Sequence, residues 1–215
     1  MRALLVLAVL AGTAHAEEIP SGGAWLHYEL TGLTDNDAAQ PHELVLAGAR
    51  LHGYIGPWEH FAFHAGIDLA AGSTLRGAGF AYDVALFPLG LALKLGGTSF
   101  ITLGTGVGAM GAVGRLDDAV TLPIELNAEI GGGNIRLLAR GRASYVAGAD
   151  NRQDGAPSTK LADELEAQLG VRVGGHYHDY VPSGNGYFVA VAYREMLGAR
   201  YVGAVIGYSI DLASR

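Results

Sequence analysis

LPIELNAEIGGGNIRLLARGRA, residues 122–143, separates two chemistries when it is read two residues at a time. One parity holds Leu122, Ile124, Leu126, Ala128 and Ile130, then Ile135, Leu137, Ala139, Gly141 and Ala143. The other holds Glu125, Asn127 and Glu129, then Arg136, Arg140 and Arg142. Successive side chains of a strand point to opposite faces, so the segment reads as a hairpin with one apolar face and one charged face. A soluble sandwich buries the apolar face and leaves charge on the water side. A transmembrane barrel does the reverse, with apolar residues on lipid and polar residues in the lumen.

The same alternation recurs along the chain. Leu26, Tyr28 and Leu30 alternate with His27 and Glu29. Val45, Ala47, Ala49 and Leu51 alternate with Gly48, Arg50 and His52, and Phe61, Phe63, Ala65, Ile67 and Leu69 with His64, Gly66 and Asp68. Leu165, Ala167, Leu169, Val171 and Val173 face away from Glu166, Gln168, Gly170 and Arg172. Comparable patterns lie at residues 80–86, 101–108, 187–194 and 202–212. The expected fold is all-β: a single antiparallel transmembrane β-barrel of about ten strands, with eight or twelve as alternatives. Ten requires residues 77–95 to be one long strand whose register slips at Phe87-Pro88, as a β-bulge would allow. Pro123, on the lumen side of a strand with two neighbours, is a second irregularity.

The first sixteen residues address the chain. Arg2, the apolar run of residues 3–10 and Ala14-His15-Ala16 have the form of a secretory signal peptide cleaved after Ala16. Residues 1–16 are therefore assigned to the signal and residues 17–215 to one outer-membrane barrel. The apolar run falls well short of the roughly 20 residues of a spanning helix. With 33 glycines, 50% hydrophobic and only 16% charged residues, the composition suits a β-rich protein. There is no cysteine, so no disulfide is available to the exported chain. Without Arg2 the net charge is about −8, which gives no basic footprint for nucleic acid.

Links of alternating length fit the barrel. Residues 34–42, 114–118 and 148–160 are placed outside the cell, and the tighter links 56–59, 96–98 and 131–134 on the periplasmic side. Residues 174–186 are long for a periplasmic turn and suggest a continued strand or a small plug. With the signal peptide, the outward alternation, aromatics near strand ends (Trp25, Trp58, Tyr187, Tyr201) and the terminal Tyr208, Ile210 and Leu212, the chain resembles the small outer-membrane β-barrel proteins of Gram-negative bacteria. In that family the last residue is typically aromatic, whereas this chain runs on through Ala213-Ser214-Arg215. The resemblance implies a cell-envelope, porin-like barrel in contact with outer-membrane lipid and with the barrel assembly machinery. A monomer is expected.

The lumen side is expected to carry a charge ladder of Arg50, His52, His64, Asp68, Glu125, Glu129, Arg136, Arg140, Arg142, Glu166 and Arg172. No catalytic residue, metal or cofactor is assigned. His52 and His64, with Asp68 and Arg50 nearby, are read as lumen polar groups that satisfy one another, a metal or proton-relay site being the less expected alternative. His176 and His178 with Asp179 have a metal-ligand spacing but read as a solvated link. Residues 150–155 resemble an EF-hand loop only loosely, because Arg152 and Leu161 stand where oxygen ligands are needed. The resembled family includes lipid A deacylases with a His-x-Ser pair and proteases with acidic residues and His at the rim; His176-Tyr177-His178 lacks that serine, and no Gly-x-Ser-x-Gly elbow is present.

The expected function is thus a non-enzymatic outer-membrane barrel, structural or passing small solutes, with a largely filled lumen. An outer-membrane barrel enzyme acting on lipid A or peptides is the first alternative, and a soluble exported β-barrel binding an apolar ligand is the second. If residues 131–134 form a four-residue loop, Ile130 faces Ile135, Glu129 faces Arg136, Asn127 faces Leu138 and Glu125 faces Arg140. On that register, removing Glu125 alone should destabilise more than removing Glu125 and Arg140 together, because a lone enclosed charge is left behind.

Overall fold

A chain that alternates apolar and charged side chains can enclose its charges only if its sheet closes on itself, and this one closes. The computed structural model describes residues 22–35, 43–55, 60–74, 80–96, 99–113, 118–132, 134–150, 164–174, 185–196 and 199–212. The strands are β1 (Gly22–Asp35), β2 (Glu43–Ile55), β3 (Phe61–Thr74), β4 (Phe80–Gly96), β5 (Ser99–Val113), β6 (Asp118–Gly132), β7 (Ile135–Asp150), β8 (Glu164–Val173), β9 (Gly186–Met196) and β10 (Ala199–Leu212). Each pairs antiparallel with its neighbour in the chain, and β1 pairs with β10 to complete a ten-stranded barrel. The described residues contain no helix. The signal segment, Trp58, the link bearing His176, His178 and Asp179, residues 151–155 of the loop that resembles an EF-hand, and Ala213-Ser214-Arg215 lie outside the described residues.

Side chains sort by parity. Outward positions are apolar and exposed, among them Leu89, Leu137, Leu169, Tyr187, Val191 and Ile206. Inward positions hold the buried polar groups, from Arg50, His52 and Asp68 round to Arg172 and Arg194. Two apolar layers bracket them. Trp25, Tyr54, Ala62 and Ala92, with Phe100 against them, pack at the strand ends near the start of β1. Leu33, Leu44, Leu46, Ala81, Met110 and Ala119 belong to a second cluster toward the β1–β2, β3–β4 and β5–β6 connections.

The aromatics near strand ends divide between the two faces. Trp25 and Tyr201 are buried and belong to these inner clusters, whereas Tyr187 does face outward. Parity explains the difference: Trp25 precedes the outward Leu26, and Tyr201 precedes the outward Val202.

The hairpin register also differs from the expected one. The ladder runs on to Gly132↔Ile135, so Ile130 faces Leu137, Glu129 faces Leu138, Asn127 faces Arg140 and Glu125 faces Arg142. The link shrinks to residues 133–134. Gly131 makes this possible with a φ of 142°, a conformation that favours glycine, and its N–H and carbonyl both bond the Ser99 hydroxyl, at 3.1 and 3.3 Å.

β4 is one long strand with a register shift between Leu86 and Leu89 against β5, where the apolar parity changes. Gly106 sits opposite this bulge, and a Cβ on it would lie 1.8 Å from the Leu86 carbonyl oxygen. Pro123 is tolerated because pairing to β5 lapses between Gly108↔Thr121 and Thr105↔Ile124, while the Pro123 carbonyl accepts the Thr105 hydroxyl at 3.1 Å. Substituting Gly106→Ala is expected to destabilise the barrel by about 1–3 kcal/mol through this backbone collision. Gly141→Ala, which meets nothing within 4 Å, should be near neutral. Urea unfolding in lipid vesicles separates the two, and equal stabilities would mean that the bulge is not where the strand bends.

Candidate functional site

The inward face of the barrel is the candidate site, and its centre is one guanidinium. Arg140 donates from Nε and Nη2 to Glu125 Oε2 at 2.9 and 2.7 Å, from Nη1 to Glu166 Oε1 at 2.5 Å, and from Nη2 to Asp68 Oδ2. The three carboxylates arrive from β6, β8 and β3, so this one side chain ties distant walls together. Glu166 also accepts from Arg50 at 3.2 Å, and Arg50 donates to Glu29 at 2.5 Å. In the other direction Glu166 lies 3.4 Å from Arg142, which with Arg194 holds Asp83 and approaches Glu164. A smaller group joins Arg136 and Arg172 to Glu129, each at 2.7 Å, and Arg172 donates to Ser209 at 2.7 Å.

All eleven residues of the expected ladder are buried. Most meet in these networks, Arg142 and Glu166 directly across a rung and others along diagonals. Glu129 reaches Arg136, and Glu125 reaches Arg140, diagonally along the hairpin from the register given above. Long side chains span such diagonals. Glu29, Asp83, Glu164 and Arg194 were absent from the ladder, although parity marks each of them: Glu164 stands two residues before Glu166, and Asp83 alternates with Tyr82 and Val84.

Beside Arg140 lies a histidine relay. His52 Nε2 is 2.8 Å from Asp68 Oδ1, and His52 Nδ1 is 3.0 Å from His64 Nε2. Asp68 accepts, so His52 Nε2 carries a proton, and Glu125 Oε1 stands 3.6 Å from His52 Nδ1. His64 Nδ1 has no hydrogen-bond partner among the described residues. Trp25 stacks on both imidazoles, with centroids 5.7 and 5.9 Å away, and so holds the rings in plane. Ligand atoms of His52, Asp68 and Glu125 come within 4.8 Å of one another, a spacing open to a metal ion. The Arg140 guanidinium already contacts both of those carboxylates, however, and a cation would have to displace it. Arg140 thus occupies the place a cation would take.

No family model matches the chain, and no curated protein matches its sequence. Among solved structures it is similar to the translocator domain of the autotransporter NalP from Neisseria meningitidis, at 10% identity and a TM-score of 0.44, covering 97% of this chain and 93% of that one. The β domain of the Bordetella autotransporter BrkA is similar at 10% identity and a TM-score of 0.46, covering 89% and 99%. An outer membrane channel from Pseudomonas putida F1 is similar at 8% identity and a TM-score of 0.46, covering 94% and 98%.

The shared guanidinium changes the expected order of mutant stabilities. Joint removal of Glu125 and Arg140 would take from Asp68 and Glu166 the cation they share, so it no longer relieves the loss of Glu125. Arg140→Gln should cost about 3–5 kcal/mol, more than Glu125→Gln, after which Arg140 keeps two carboxylates. A coupling of about 1–3 kcal/mol between the two substitutions is expected in a double-mutant cycle of unfolding in vesicles. The opposite order, or strict additivity, would show that Arg140 is not the shared partner.

Proposed function

We propose that this chain is a non-enzymatic integral β-barrel of a bacterial outer membrane, a structural element whose lumen is closed by its own side chains. The observation that carries this reading is the inversion of the barrel: a continuous apolar outer face encloses a buried ionic network. So large an exposed apolar surface on a soluble monomer would be an aggregation surface, and in lipid it is the expected one. Every strand has at least the roughly 9–11 residues that a tilted spanning strand needs, the shortest being β8 with 10. This favours the membrane reading over a soluble barrel that binds an apolar ligand inside, because the interior is ionic.

Closure follows from the contents of the lumen. An interior cavity of about 50 Å³ lies among His27, Arg50, Arg140, Gln168 and Phe188, room for a few water molecules and not for a solute stream. Barrels that conduct freely have about sixteen strands or more. On this reading the signal segment directs export, the assembly machinery inserts the barrel, outer-membrane lipid is its solvent and the barrel is a monomer.

Two measurements test it. The mature protein should fractionate with outer membranes and migrate differently in detergent gels before and after heating; recovery as a soluble monomer without detergent would overturn the membrane reading. In planar bilayers it should give no large, stable porin-like current. Such a current would show that the ionic core opens and that the barrel is a channel.

A further inference from the structure

We draw no further inference here: the strongest candidate, the mostly apolar groove of about 920 Å³ on the outer wall beside the break in β3–β4 pairing, carries nothing because the buried His64 imidazole lies behind the paired Gly90↔Gly104 wall and nothing in the structure shows what covers the groove.

Discussion

Arg140 and its three carboxylates are the constraint around which the rest of this barrel is arranged. A closed sheet that turns its apolar side outward must enclose its polar side, and enclosed charges are tolerable only in mutual contact. Glu125, Glu166 and Asp68 come from three different strands, so no two neighbouring strands can satisfy the requirement alone. Closure of the ring and completion of the network are therefore linked: Asp68 on β3 meets Arg140 on β7 only across the lumen. The same contacts fill the space through which a solute would pass, which is why a barrel of this size reads as a closed one.

The two apolar layers at the ends of the lumen reinforce that arrangement. Trp25, Tyr54 and Phe100 pack at one end, and Leu33, Leu44, Leu46 and Met110 toward the other, with the ionic middle between them. Lower local dielectric strengthens each pair and raises the cost of leaving any member alone. His52 and His64 lie at the border of the aromatic layer and the ionic one. Stacking on Trp25 holds their planes, and hydrogen bonds to Asp68 and between the rings hold their order.

Irregularities of the sheet are concentrated on the β3–β4–β5 side. The break at Phe63/Gly66, the bulge at Leu86/Leu89 and the lapse of pairing beside Pro123 all fall there, and glycine is placed where backbones crowd, at Gly106. Opposite them the β8–β9 ladder is unbroken from Leu165↔Glu195 to Val173↔Tyr187.

The sequence by itself determined which side of each strand faces inward. A period of two is a local property, and from it follow the barrel, its ten strands, the slip at Phe87-Pro88 and the burial of Arg50, Asp68, Glu125, Arg140 and Glu166. Only the tertiary structure decided which of these residues touch. The hairpin register depended on whether Gly131 would take a positive φ, which glycine permits and does not require, so a four-residue loop and a two-residue link were both compatible with the same letters. Pairing across the lumen depended on strand tilt and closure, which bring β3, β6, β7 and β8 to one guanidinium from positions 72 residues apart in the case of Asp68 and Arg140. Trp25 and Tyr201 were legible only as aromatics near strand ends by residue type; their parity places them inside. The break in pairing between β3 and β4 at residues 64–65 is likewise a relation between two strands that neither strand's own residues contain.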